Sequence, residues 1–286
     1  MPFADFLKST LVIGLLESAP LMLAAVGFTL IFCLNGFINI AFAENLTLGA
    51  YLAMTFNTIL GWNFYISIIP ASLLAGVLSV ITYLVVFRPA MRRGVGKTEM
   101  IILSVGLSFV LRYGINLIYG SELFNYNLGK TYYLSLFGMG ITSTQLICLG
   151  LVLIIALGFY LFMYKTNYGQ TMRALADNEN LAMISGINPI KVSILVWFLS
   201  GVAGGLAGVF TGVFTWINSL LGFNQILIIL MIAIVGGVGN VRGALIVGAC
   251  VGIVTTAVTL VSKPLYGTII LLIIFIGILK LRKVRV

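Results

Sequence analysis

The chain has 286 residues, of which 61% are apolar and 8% are charged, and its mean hydropathy is +1.17. Soluble domains contain about 45–50% apolar and about 25% charged residues, so these values exclude an ordinary soluble domain, a disordered protein and a small secreted fold. The net charge of +9 does not indicate nucleic-acid binding, because the basic residues cluster at the ends of apolar runs, as in cytoplasmic loops of membrane proteins.

Nine apolar runs predict an all-α polytopic membrane protein with eight to nine transmembrane elements in a single domain over residues 1–286. A helix needs about 20 residues to cross about 30 Å of hydrocarbon, so the second and seventh runs predict short or broken helices. Residues 1–8 carry one acid and one base, and the apolar run that follows them is too long for a signal peptide, so we expect that run to be a first membrane span rather than a cleaved signal. The runs cover residues 11–34, 46–60, 64–87, 100–119, 142–164, 192–217, 225–238, 244–261 and 265–279.

The basic residues predict the orientation of the spans, because Lys and Arg accumulate in cytoplasmic loops. Two spans separate the first cluster from the second and four separate the second from the third, so all three clusters can face the cytoplasm. The N-terminus and the loop at 120–140, which contains Lys130, are then expected outside. The clusters are Arg88, Arg92, Arg93 and Lys97; Lys165, Arg173 and Lys191; and Lys280, Arg282, Lys283 and Arg285.

The longest polar segment, 165–191, predicts two short helices on the cytoplasmic face. Asn178 can cap a helix, Gly186 can take the left-handed position after it, and Asn188 with Pro189 can begin the next span. A compact helical pair is suited to docking on another protein, and a solvated connecting loop is the alternative.

The span that follows is rich in glycines spaced four residues apart. Residues four apart share a helix face, and small residues allow another backbone to approach closely in lipid. We therefore expect this helix to be centrally packed, against a helix of this chain or of a partner chain. The glycines expected to pack are Gly201, Gly205, Gly208 and Gly212.

Two interrupted segments, 33–51 and 234–250, resemble each other. Each has an apolar run, a break of small residues, polar residues and then Gly-Ala. Paired broken helices indicate a transport pathway, because unwound backbone at membrane depth survives only where protein or a wet cavity covers it. Ordinary cytoplasmic turns are the alternative.

The sequence argues against an enzyme and against a metal site. The segment RRGVGKT at 92–98 ends like a phosphate-binding loop but has Met91 where the first glycine is needed. The chain has no histidine, its acids are scattered, and Cys33, Cys148 and Cys250 are isolated in apolar runs. We therefore predict no catalytic residue, no metal ligand and no disulfide.

Two ionisable residues lie inside apolar runs. Arg112 and Glu17 are each about 9 Å from the predicted outer boundary, and they have opposite charge. The sequence therefore predicts an Arg112–Glu17 pair or a shared polar network. Extension of Arg112 to the outer interface is the alternative.

Three motifs resemble the permease subunits of ABC importers for branched-chain and other neutral amino acids. The chain departs from the family at Phe42 and Ala43, where the family usually has His-Gly. The first motif comprises Asn39, Ala41, Glu44, Gly49, Ala50 and Tyr51; the second Met172, Arg173, Ala174, Ala176, Asn178, Ala182, Gly186, Ile187 and Asn188; and the third Gly236, Gly237, Gly239, Gly243 and Ala244.

The resemblance implies that 165–191 is a coupling loop seated on a separate ATPase subunit. It also implies a second permease chain, often non-identical, two ATPase subunits that bind ATP and Mg²⁺, and an extracytoplasmic solute-binding protein. This chain would itself hold no cofactor and would lie in the bacterial inner membrane. The residues expected to couple to the ATPase are Arg173, Ala174, Asp177, Asn178, Glu179, Ala182, Gly186, Ile187 and Asn188.

The function implied is ATP-driven import of branched-chain or other neutral amino acids by alternating access. Related permeases carry urea or short amides, and an ATP-independent secondary transporter is a further alternative, with Glu44 as its one candidate ion or proton site. The residues expected near the translocation path, or supporting the broken helices, are Asn39, Phe42, Glu44, Asn45 and Asn240.

Overall fold

The computed structural model describes residues 3–129, 132–136, 139–262 and 264–281. Lys130 and the basic residues Arg282, Lys283 and Arg285 lie outside the described residues. Within them the chain forms twelve α-helices and one β-hairpin. These are α1 (Phe3–Asn35), α2 (Phe42–Met54), α3 (Phe64–Thr82), α4 (Arg88–Arg92), α5 (Lys97–Tyr119), β1 (Tyr133–Leu136), β2 (Met139–Thr142), α6 (Ser143–Lys165), α7 (Asn167–Asp177), α8 (Glu179–Ile184), α9 (Pro189–Phe214), α10 (Leu221–Gly236), α11 (Val241–Val261) and α12 (Pro264–Leu281).

The predicted all-α membrane fold is confirmed. Among the described residues, six helices are long and apolar enough to cross a bilayer, and two shorter apolar helices accompany them. With α2, which a π-helical turn extends over Thr55–Ile59, these make nine membrane elements. The two short runs predicted from sequence correspond to α2, of 13 residues, and α10, of 16 residues.

The first two basic clusters lie at the same end of the molecule, as the predicted orientation requires. A cavity of about 480 Å³ at this end is lined by Arg88, Arg92 and Lys97 and also by Glu179 of α8 and Pro189 of α9. We refer to it as the inner end. The β-hairpin follows the opposite end of α5, in the loop that the sequence assigns to the outside.

Helix α9 forms the centre of the molecule and packs against α1, α2 and α3. A Cβ atom at Gly208 would overlap the carbonyl oxygen of Leu46 in α2, and one at Gly205 would press on Ala75 in α3. The predicted close packing of this helix is therefore realised within the chain itself. It brings α2 against the core with backbone almost touching backbone.

The two predicted breaks are of different kinds. Between α1 and α2 the chain is unwound inside the protein, where the Ile40 N–H donates to Ser104 Oγ of α5 at 3.0 Å. Between α10 and α11 it makes a tight turn at the inner end, where the Gly243 N–H donates to Asn240 Oδ1 at 3.1 Å. The second segment is therefore an ordinary turn, the alternative that the sequence left open.

The predicted pair of cytoplasmic helices is present as α7 and α8. Asn178 Oδ1 accepts from the Leu181 N–H at 3.0 Å and begins α8, and Asn188 Oδ1 accepts from the Ile190 N–H at 3.1 Å and begins α9. Gly186 has φ +84°, the left-handed conformation that glycine adopts without strain.

Gly208→Ala tests the close packing of α9. We expect it to lower the free energy of unfolding by about 2 kcal/mol, because the added methyl group must displace the backbone of α2. Unfolding in mixed detergent micelles measures the change. Gly106→Ala, on an open face of α5, is the matched control and should be neutral or stabilising by about 0.5–1 kcal/mol. Equal effects of the two substitutions would refute the packing account.

Candidate functional site

A buried ion pair joins α2 to α5. Glu44 lies in the first turn of α2 and has no exposed surface, and the Arg112 side chain of α5 is 6% exposed. Glu44 Oε1 accepts from Arg112 Nη2 at 2.8 Å and from Ser108 Oγ at 2.7 Å. Arg112 Nη2 also donates to Ser108 Oγ at 3.0 Å. These three side chains, Glu44, Ser108 and Arg112, form the polar cluster.

The polar cluster is deep in the membrane. Helix α5 has 23 residues and is therefore about 34 Å long, and Ser108 and Arg112 lie about 16 and about 22 Å from its inner end. A charged group at this depth is costly unless it is paired, and such groups are usually functional. Glu44 Oε2 is buried and has no hydrogen-bond partner among the described residues, so the carboxylate retains a free acceptor.

The N-terminal ends of two short helices meet beside the polar cluster. The Gly222 N–H, in the first turn of α10, donates to Thr47 Oγ1 of α2 at 3.1 Å. From this point α2 runs toward the outer end of α5, where the hydroxyls of Thr55 and Tyr119 are 2.8 Å apart, and α10 runs toward the inner turn. Because helix N-termini carry partial positive charge, they favour the nearby carboxylate of Glu44.

Aromatic rings cover the polar cluster. Arg112 Cζ is 3.8 Å from the ring centroid of Phe223 in α10 and 5.4 Å from that of Phe109 in α5. Cation–π contact of this kind stabilises a guanidinium that has lost its water. Phe109 and Phe223 are 44% and 39% exposed, so they separate the ion pair from the surface of the chain.

The predicted Arg112–Glu17 pair is wrong. Arg112 bonds to Glu44, and Glu17 instead lines a separate cavity with residues of α9 and α11. The prediction rested on equal depth alone, which does not tell which helices are neighbours. Extension of Arg112 to the outer interface is also wrong, because its side chain is buried.

The other residues predicted near the path are dispersed. Asn39 is 1% exposed in the unwound segment, and its Oδ1 has no hydrogen-bond partner among the described residues. Phe42 packs edge-on against Phe28 with a centroid distance of 5.6 Å, and Asn45 packs at Gly204. Asn240 caps α11. Of the five residues, Glu44 alone belongs to the polar cluster.

Sequence reasoning missed the partners of Glu44. Ser104, Ser108 and Arg112 are spaced four residues apart and all are buried, so they form one polar stripe along an otherwise apolar helix. That stripe was the available signal. The sequence has no such pattern around Thr47 or Phe223 that would have placed them beside Glu44.

The residues predicted to couple to an ATPase lie on or beside α7 and α8. Arg173 donates to the carbonyl oxygen of Met163, near the end of α6, and its Cζ is 5.6 Å from the Tyr164 ring centroid. Helix α8 presents three exposed apolar side chains that were not predicted from the sequence, Leu181 at 62% exposure, Met183 at 46% and Ile184 at 84%. The predicted set comprises Arg173, Ala174, Asp177, Asn178, Glu179, Ala182, Gly186, Ile187 and Asn188.

The chain matches, over residues 10–279, the family described as branched-chain amino acid transport system permease component. The chain belongs to this family. A probable branched-chain amino acid transport permease protein LivH from Methanocaldococcus jannaschii is 28% identical over 89% of this chain and 82% of the relative. The high-affinity branched-chain amino acid permease protein BraD from Pseudomonas aeruginosa is 25% identical over 88% and 86%.

A solved structure shares the fold of this permease. The structure of PsaBC from Streptococcus pneumoniae in complex with Fab matches with a TM-score of 0.50 and 18% identity, covering 96% of this chain and 94% of that chain. At this identity the likeness supports the arrangement of helices and carries nothing about cargo.

A double-mutant cycle tests the ion pair. Glu44→Gln and Arg112→Gln should each lower the free energy of unfolding by about 3 kcal/mol, because each leaves a buried group without its partner. The free energy of unfolding of the double variant should fall by clearly less than the sum of the two single losses. Glu17→Gln combined with Arg112→Gln is the control cycle and should be additive. Additive losses in the Glu44–Arg112 cycle, measured in mixed micelles, would show that the two residues do not pair.

Proposed function

We propose that this permease is the membrane subunit of an ATP-driven importer that moves branched-chain or other neutral amino acids into the cell by alternating access. The observation that carries the proposal is the buried Glu44–Arg112 pair at the point where two half-helices meet. Ionisable groups and half-helix ends at membrane depth mark the transport route in many transporters.

The proposed class of cargo rests on the relatives, which are named as branched-chain amino acid transport permeases. Phe42, which replaces the family's usual histidine, has no exposed surface and packs on Phe28. It therefore acts on the path through the packing of α2 rather than by touching cargo, and it gives no reason to depart from the cargo class of the relatives. Urea, short amides and ATP-independent transport have no specific support in the described residues.

The partners proposed are a second permease subunit, two ATPase subunits that bind ATP and Mg²⁺, and an extracytoplasmic binding protein. Exposed Leu181 and Ile184 on α8 support docking on an ATPase, because apolar side chains of this size on a cytoplasmic helix are stabilised by burial in a partner. The chain itself supplies no nucleotide site in this proposal.

Motion of α8 would reach the polar cluster through two rigid connections. Helix α8 joins α9 through Gly186 and the capping residue Asn188, and α9 packs on α2 at Gly208. Helix α2 carries Glu44 in its first turn. A push on α8 would therefore tilt α9 and α2 together and shift the ion pair relative to α5, which is a hinge-and-shear transition.

Reconstitution tests the proposed function. The purified chain, with its second permease and ATPase subunits in liposomes, should take up a radiolabelled branched-chain amino acid only when the binding protein and ATP are both present. Urea serves as the competing cargo. Uptake by the permease chain alone, or uptake of urea in preference to the amino acid, would contradict the proposal.

Ile184→Asp tests the role of α8. A charge at this position should abolish copurification with the ATPase subunits and ATP-driven uptake, while insertion and melting temperature stay unchanged, because Ile184 is 84% exposed and contributes little to folding. Leu123→Asp is the matched control, at 59% exposure in the outer loop, and should leave copurification intact. Normal copurification of the Ile184→Asp variant would rule out this docking face.

A further inference from the structure

A second polar cavity lies away from the polar cluster, between α1, α9, α10, α11 and α12. Its volume is about 370 Å³, and Glu17, Gln225 and six threonines line it. Thr215 follows the last residue of α9, and Thr259 lies in the last turn of α11. The cavity is therefore in the half of the helices nearer the outer end, and the transport mechanism above does not use it.

The hydroxyl groups of this cavity present oxygen lone pairs. Thr211 and Thr215 donate to the carbonyl oxygens of Ala207 and Thr211 at 2.8 and 3.0 Å. On the opposite wall Thr255 and Thr259 donate to those of Val251 and Thr255 at 2.7 and 2.8 Å. Because the hydroxyl hydrogens of these four threonines are already bonded to their own helices, their oxygens have only acceptor lone pairs left for a ligand in the cavity.

The cavity carries a single acid and no base. Glu17 is an exposed residue of α1, it has no ion pair or hydrogen bond among the described residues, and no Lys or Arg lines the cavity in that part of the chain. A carboxylate that is ionised at membrane depth is stabilised by a counter-charge. The threonine oxygens that line the same cavity offer that counter-charge neutral ligands.

We propose that this cavity binds a monovalent cation, with Glu17 as its counter-charge and the threonine oxygens as neutral ligands. A single carboxylate matches one positive charge, whereas Ca²⁺ sites in proteins generally use several carboxylates. The volume exceeds that of a bare ion several-fold, since one water occupies about 30 Å³, so the ion keeps part of its hydration. An alkali metal ion and the ammonium group of an amine share this chemistry.

The bound cation ties α1 to α9 and α11. Without it Glu17 has no counter-charge, and with it the carboxylate and the threonines of both walls hold one partly hydrated ion. Since a ligand that binds the folded state raises stability by mass action, the ion should stabilise the chain. This effect is independent of cargo, ATP and partner subunits.

Thermal unfolding tests the site. The full-length chain in detergent is melted in KCl, NaCl, NH₄Cl, methylammonium chloride or choline chloride at equal ionic strength, with tryptophan fluorescence as the signal. At least one small cation should raise the melting temperature by about 2–4 °C over choline. A larger shift with methylammonium than with K⁺ or Na⁺ assigns the site to amines, and the reverse assigns it to inorganic ions.

Variants make the result specific. Glu17→Gln should remove the cation-dependent shift, Glu17→Asp should keep part of it, and Glu122→Gln, an acid of the outer loop, should leave it unchanged. Thr259→Val removes one acceptor from the far wall and should reduce the shift, which keeps the test valid if Glu17→Gln does not fold. The same melting temperature in all five salts, or an unchanged shift in Glu17→Gln, overturns the proposal.

Discussion

The structure depends on one ion pair in a place without water. Glu44 has no exposed surface and Arg112 is bonded to it at 2.8 Å, so neither charge can be left alone without a cost of several kcal/mol. The first turn of α2 must therefore lie against the middle of α5. Because α1 ends at the inner end, the chain has to return into the membrane unwound before α2 begins. Ser104 Oγ accepts a hydrogen bond from the Ile40 N–H of this unwound backbone.

Close packing makes this arrangement possible. A half-helix that begins inside the membrane exposes N–H groups that lipid cannot satisfy, so it needs a protein neighbour on every side. The small residues of α9 supply one such neighbour, since Gly208 admits the carbonyl of Leu46. Helix α10 supplies another, where the Gly222 N–H donates to Thr47 Oγ1 of α2. These contacts join α9 and α10 to the helix that carries Glu44.

Much of the fold followed from the sequence, because hydropathy, basic clusters and helix caps are local signals. The two short spans, the caps at Asn178 and Asn188 and the packing of α9 were all predictable in this way. The partner of Arg112 was not. Hydropathy gives the depth of Arg112 and Glu17 but not the arrangement of helices around them, and nothing local shows that α2 begins in mid-membrane beside α5. The stripe of Ser104, Ser108 and Arg112 would have shown that α5 has a polar neighbour without naming it.

Infrared difference spectroscopy of Glu44 in a lipid bilayer tests the central claim most directly. The spectrum of the chain minus that of its Glu44→Gln variant should show the stretching bands of an ionised carboxylate, slow to shift on transfer to D₂O because the pair is buried. A difference spectrum that instead shows the carbonyl band of a protonated carboxyl group would mean that Arg112 does not hold Glu44 as an ion, and the account built on their pairing would fail.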